Sequence, residues 1–198
     1  MGRGARVAAA LVVVAAVAIG VALVPGIIES RHERAESEQR ARAELRAQRI
    51  RELEAEQRPR LRRSGSVAPP GAAAEERLRA RAGLMDEVSG NVLADARRRV
   101  RRGELDGPIQ RVVCQPFPRT VDGVGADRDL SRRRGRYSCV AVTAAFGRGG
   151  TSIRGVIGHQ YRILVDFQTG GYAYCKISGQ AGPSREQLVT TPRACGGR

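Results

Sequence analysis

The alternation of apolar and polar positions divides the chain into stretches of different period. Val7 to Ile28 runs for 22 positions without a charge, behind a short leader, 1–6, that carries Arg3 and Arg6. Roughly 20 apolar residues suffice for a helix to cross the hydrocarbon core of a bilayer. A cleaved signal peptide would have a shorter apolar core ending in small residues. Here the best small pair, Gly20 and Ala22, lies inside the run, which predicts an uncleaved transmembrane signal anchor over 7–28.

From Glu29 to Gln57 the residues are almost all Arg, Glu, Ala and Gln, and Glu36–Arg40, Glu38–Arg42 and Glu54–Arg58 stand at i, i+4. Such pairs add about 0.2–0.5 kcal/mol each to a solvated helix. The pattern predicts a charged helical stalk over 29–63. Leu45, Ile50 and Leu53 are too sparse to sustain a heptad, so a coiled-coil dimer is compatible with the stalk without being required by it. Pro59 ends the helix, and 64–74, with Pro69, Pro70 and Gly71, has the composition of a flexible linker.

The folded domain is expected over 75–198. Leu78, Met85, Val88, Val92, Ala96 and Val100 recur, mostly at three- and four-residue steps, between Glu75 and Arg102, one face of an amphipathic helix. Gly83 and Gly90 weaken it, and Gly103 supplies a C-cap. Beyond Pro108 the period changes to two. Strands are predicted from Ile109 to Cys114, from Tyr137 to Phe146, through Tyr161, Ile163, Val165 and Phe167, and from Tyr172 to Ile177. The loop 119–135 and Gly147–Gly150 separate the first three. Thr169 and Gly170 are expected at the tip of the last hairpin, which would set Val165 opposite Tyr174 and Leu164 opposite Cys175. The fold class is α+β: an anchor, a stalk, then one long helix on a four-stranded antiparallel sheet.

Cysteine usage changes the picture most. Cys114, Cys139, Cys175 and Cys195 all fall in the predicted domain, and an even count in a small domain suits an oxidising compartment. Orientation by charge is ambiguous, because Arg3 and Arg6 before the anchor are matched by Arg31, Arg34, Arg40 and Arg42 after it. The cysteines place the C-terminal domain outside a cell membrane that the chain crosses once. Four cysteines allow three connectivities. The expected pairs are Cys114 with Cys139, across the first two strands, and Cys175 with Cys195, fastening the C-terminal tail.

The formal charge of +15 comes almost wholly from arginine, since Lys176 is the only lysine. No helix-turn-helix, zinc finger or aromatic RNA-binding motif accompanies it, which disfavours nucleic acid as a partner. Two clusters are candidate anion-binding sites: Arg97, Arg98, Arg101 and Arg102 at the end of the helix, and Arg132, Arg133, Arg134 and Arg136 before the second strand. They offer a landing surface to an anionic envelope polymer or a lipid headgroup; the alternative is a solvated loop.

Catalytic signatures are missing. No C-x-x-C occurs, and Gly147–Gly150 lacks the Lys and Ser or Thr of a phosphate loop. Cys175 with His159 is the only in-domain thiol–imidazole pairing that could be proposed. In the expected register they lie about 16 Å apart along the strands, far beyond the roughly 3 Å that proton transfer needs. His159 is read as an exposed strand-edge residue. No catalytic, metal or cofactor site is assigned.

Gly103-Glu104-Leu105-Asp106-Gly107-Pro108, Val113-Cys114-Gln115-Pro116, Arg136-Tyr137-Ser138-Cys139 and Val165-Asp166-Phe167-Gln168-Thr169-Gly170-Gly171-Tyr172 carry a resemblance over about half the chain. The whole resembles uncharacterised single-pass actinobacterial envelope proteins. The resemblance implies a cystatin-like or NTF2-like helix-on-sheet domain and no particular activity. The reading is a non-catalytic, membrane-tethered binding or assembly module, with an envelope protein or an anionic polymer as partner. The alternatives are an envelope hydrolase or thiol enzyme, and an electrostatic binder of anionic polymers.

Overall fold

The structure, a computed structural model, describes residues 33–118, 124–146, 155–178 and 189–197. The expected leader, the anchor over 7–28 and the Gly147–Gly150 loop lie outside the described residues. Among the described residues no helix is long and apolar enough to cross a membrane. Two compact units divide the chain, Met1–Arg49 and Ile50–Arg198. In the first, the described residues 33–49 are helical and exposed, with Glu36–Arg40 at 3.2 Å and Glu38–Arg42 at 3.3 Å as the spacing predicts. The helix, α1, runs over 33–56 and its last turns belong to the second unit.

The second unit is α+β. Strand β1 (Arg60–Arg63) precedes helix α2 (Ala74–Arg101), and β2 (Arg111–Pro116), β3 (Arg134–Phe146), β4 (Gly155–Asp166) and β5 (Gly171–Lys176) follow. The sheet order is β1-β5-β4-β3-β2 with every neighbouring pair antiparallel. The four expected strands are present, and β1 makes a fifth. Its sequence, Arg-Leu-Arg-Arg, has no apolar alternation, and all four side chains are exposed. Backbone pairing with β5 holds it there. Residues 50–63, read as the foot of the stalk, therefore lie in the sheet-bearing unit, where Leu53 is 1% exposed.

Helix α2 forms over nearly the predicted span and passes unbroken through Gly83 and Gly90. Glu75 and Glu76 open it and Arg98, Arg99 and Arg101 close it, each sign complementing the helix dipole. Its end is a Schellman motif: Gly103 N–H donates to the Val100 carbonyl, Glu104 N–H donates to the Arg99 carbonyl, and Gly103 takes the left-handed φ of 71°. The buried stripe is Leu84, Val88, Val92 and Ala96. Leu78, expected on that stripe, is 37% exposed because the helix begins beyond the edge of the core.

That stripe packs on Tyr137, Cys139 and Ala141 of β3, Tyr161, Ile163 and Val165 of β4, and Tyr172 and Tyr174 of β5. These residues alternate along their strands, so they form one face of the sheet, called inner here. The opposite, outer face carries Ala173, Cys175 and Ile177, covered by Ala194 and Cys195 of the C-terminal segment. One disulfide, Cys114–Cys139, joins directly opposed residues of β2 and β3 with Cα atoms 4.0 Å apart. The second, Cys175–Cys195, ties the C-terminal 3-10 turn Arg193–Cys195 to β5, with Cα atoms 6.0 Å apart. Both are the expected pairs.

The last hairpin is in a different register from the expected one. Val165 faces Tyr172, and Arg162, not Leu164, faces Cys175. The cause is a four-residue connection in place of two. Asp166 Oδ1 accepts from the Gln168 and Thr169 N–H groups at 3.0 and 3.1 Å, Gly170 N–H donates to the Asp166 carbonyl, and Gly170 takes φ 69°.

Candidate functional site

Polar groups gather at three places on this frame, and two of them are fully occupied with structure. At the C-terminal end of α2, Asp95 is 0% exposed and accepts from Arg98 at 2.5 Å and Arg99 at 2.9 Å, with the Tyr161 hydroxyl at 3.4 Å. Burial raises the Asp95 pKa, but the arginines outweigh it and hold the carboxyl below its ordinary value. Arg99 also reaches Glu104 at 3.3 Å and the Glu56 carbonyl at 2.9 Å, satisfying an acceptor at the end of α1. Nearby, Gln57 Nε2 donates to the Ser178 carbonyl at 2.8 Å. Lys176 donates to Ser178 Oγ at 2.6 Å, and Ser178 Oγ donates to Glu56 at 2.5 Å. A serine–lysine pair can be a nucleophile and base when the amine is neutral. Glu56 stands 3.5 Å from Lys176 Nζ and accepts from Ser178, so the trio reads as a strut. Sequence spacing gave no sign of this network, whose members are some 120 residues apart, as with Gln57 and Ser178 at 121.

At the other end of α2, Arg81 is 7% exposed and donates to the carbonyls of Ala126, Asp129, Leu130 and Arg132, while its guanidinium lies 4.4 Å from the Phe167 ring centroid. Burial lowers its pKa first, with Arg77 adding to the effect. Its donors hold the connection into β3 in place.

The two predicted anion-binding clusters therefore sit at opposite ends of one helix. From Arg81 to Arg98 is about 25 Å at 1.5 Å per residue. In the first cluster Arg98 pairs with Asp95, Arg102 with Glu104 at 2.6 Å, and Arg97 donates to the Ile109 carbonyl; Arg101 is exposed. In the second, Arg132 pairs with Asp129, while Arg133 and Arg134 share Asp166. Burial raises the Asp166 pKa, but the Thr169 N–H, Arg134, the Gln168 N–H and Arg133 together bring it below the ordinary value. Arg136 projects from the outer face beside Gly196.

The thiol and imidazole candidates do not meet. All four cysteines are in disulfides. In the observed register His159 is three residues from the partner of Cys175, about 10 Å along the strand, and it belongs to the inner-face alternation whereas Cys175 belongs to the outer. His159 is half-buried on a central strand, not on an edge, and a ring nitrogen lies 2.8 Å from the Asp106 carbonyl. Asp166 is seven residues away on β4, about 23 Å. Among the described residues no His, Cys, Asp and Glu group is arranged to hold a metal ion.

The third polar group lies on the outer face of β2, β3 and β4, where open space remains. Phe117, 39% exposed, stands between two hollows. One, about 680 Å³, is lined by Leu164 and by Arg132, Arg134 and Arg136 of the second predicted cluster. The other, about 420 Å³, has Val113, Val140 and Val156 as its apolar wall and Gln115, Gln160 and Arg162 as its polar lining. Arg162 was not singled out from the sequence. Its signal is a charged residue inside an otherwise apolar strand, between Tyr161 and Ile163. Phe117 covers its guanidinium at 3.4 Å from the ring centroid, and its Nη1 is buried without a hydrogen-bond partner. Desolvation alone lowers its pKa.

Comparison of the chain with protein-family models, curated proteins and solved structures returns no match.

Proposed function

We propose that this chain is a membrane-tethered extracytoplasmic binding or assembly module, non-catalytic, anchored by the apolar run 7–28, with its disulfide-bearing domain outside the membrane. Membership among single-pass actinobacterial envelope proteins is part of the same reading. The observation that carries it is the inequality of the two sheet faces. Helix α2 covers the inner face with a packed core, whereas the outer face keeps two adjoining hollows around Phe117. Ligand sites are typically concave and largely apolar, with a few placed polar groups, and the smaller hollow, with Val113, Val140 and Val156 beside Gln115, Gln160 and Arg162, has that composition.

Two disulfides support the extracytoplasmic part, since such bonds persist in oxidising compartments. A hydrolase would need a nucleophile, a base and an oxyanion donor in one place. Ser178 and Lys176 are engaged with Glu56, and His159 and Asp166 are held apart, so these residues lend that alternative no support.

Thiol mapping on native membranes tests the reading. Alkylation before and after reduction, followed by mass spectrometry, should find Cys114, Cys139, Cys175 and Cys195 blocked until reduced and linked as the two pairs above. Free thiols in freshly isolated membranes would place the domain in a reducing compartment and overturn the extracytoplasmic assignment.

A further inference from the structure

The geometry points to Arg162 as the anchor for the C-terminal carboxylate of an extended peptide, bound on the outer sheet face in the hollow beside Phe117. The inference rests on the binding-module reading and names its ligand chemistry.

The buried arginines show what a satisfied guanidinium looks like in this protein. Arg81 spends its donors on four carbonyls, and Arg99 spends its own on Asp95, Glu104 and the Glu56 carbonyl. Among the described residues Arg162 makes no ion pair, and its Nη1 is buried without a hydrogen-bond partner. A buried donor on a charged group left in that state is costly, and each instance in a folded protein calls for a cause. Phe117 lies over the guanidinium, its ring centroid 3.4 Å away. The donors of a guanidinium lie in its plane; Nη1 is closed off, so a carboxylate in the hollow would take the remaining in-plane donors, a planar fork that matches it.

The surroundings narrow the ligand. Gln160 Nε2 donates to Ser138 Oγ at 3.1 Å, which holds an amide and a hydroxyl beside Arg162, and Ser138 pairs directly with Arg162 across β3 and β4. Val113, Val140 and Val156 offer an apolar wall suited to a small aliphatic side chain. One guanidinium matches one negative charge, and an amide-lined, apolar-walled hollow of about 420 Å³ takes the last one or two residues of a chain. A fatty acid would need a longer apolar channel, and a polyanion would call for several unpaired cations.

The test uses the full chain in lipid nanodiscs and ligand-observed 19F NMR with N-trifluoroacetyl-Ala-Ala as the free acid, its C-terminal amide, and acetate as competitor. The acid should bind with Kd near ~1 mM, the range open to so small a ligand. The amide should bind about tenfold or more weaker, as should the acid to the Arg162→Gln variant, with Arg162→Lys between. Acetate should displace the acid only at about tenfold higher concentration. Val140→Trp, which fills the hollow while leaving the guanidinium, should abolish acid binding and serves if Arg162→Gln fails to fold. Equal binding of acid and amide, or unchanged binding by Arg162→Gln, overturns the anchor while leaving a binding face intact. Displacement by acetate at equal concentration makes the site a receptor for free carboxylates and overturns the peptide terminus. Absence of binding by either peptide overturns the anchor and removes the binding face with it, whereas the thiol map bears separately on the compartment.

Discussion

Ile163 and Leu164 are neighbours on β4, yet one is wholly buried under α2 and the other faces the outer hollows half-exposed. The same contrast holds for the whole sheet. On the inner side tyrosines and branched aliphatics fill the space to the helix, and the fully buried carboxylate of Asp95 is matched by arginines. On the outer side, beyond the part covered by Cys195, aliphatic residues line open hollows, and among the described residues the Arg162 guanidinium has neither acid nor carbonyl. The inner face stores the stability of the domain, and the outer face is free to vary in what it contacts.

The largest blow to this division should come from Asp95→Ala. It leaves Arg99 charged and buried without its carboxylate, and loss of one partner of a buried pair typically costs about 3–5 kcal/mol. Urea unfolding of the variant reads the loss directly. Ile163→Ala should follow at about 2–5 kcal/mol, the usual range for emptying a core position. Leu164→Ala, one residue away, should cost about 1 kcal/mol. Equal losses at the two positions would mean that the faces do not differ as described.

The pH dependence should likewise follow the inner face. Asp95 is held below its unfolded value, so the stability it contributes is present above about pH 4 and is lost as acid is added through its folded pKa. Tyr172, pushed up to about 12 by burial and by Glu87, acts in the opposite direction. Its contribution is whole below about pH 10, where the unfolded tyrosine begins to ionise, and falls as pH rises toward 12. Burial raises Tyr137 and Tyr161 too, adding to the alkaline loss. Thermal melts across pH should show a plateau that falls on both sides. The smallest effect is expected at Leu61→Gln on β1, within about 0.5 kcal/mol, because that side chain is 70% exposed.

What could be read from the chain was whatever repeats at a fixed period. Val88, Val92 and Ala96 mark α2, and Tyr161, Ile163 and Val165 mark β4, because their faces are buried and burial enforces periodicity. Strand β1 escaped for the opposite reason: an exposed edge strand is held by backbone pairing, which Arg60–Arg63 supply without any apolar alternation. The register of the last hairpin depended on a side chain, Asp166, bonding its own turn, a choice invisible to alternation. The candidate site was hidden further still. Phe117, Ser138, Gln160 and Arg162 come from three strand regions, and only the pairing of β2, β3 and β4 brings them together.

The pairing of β1 with β5 bears on how the protein is made. The first strand to emerge from the ribosome takes the last one as its partner, and Gln57 must find Ser178, 121 residues later. At roughly 5–20 residues per second, that interval is on the order of ten seconds. Throughout it β1 is a strand with no neighbour. A sticky apolar sequence would be exposed to other nascent chains for all of that time; three arginines and one leucine keep it in solution until the sheet is ready to receive it.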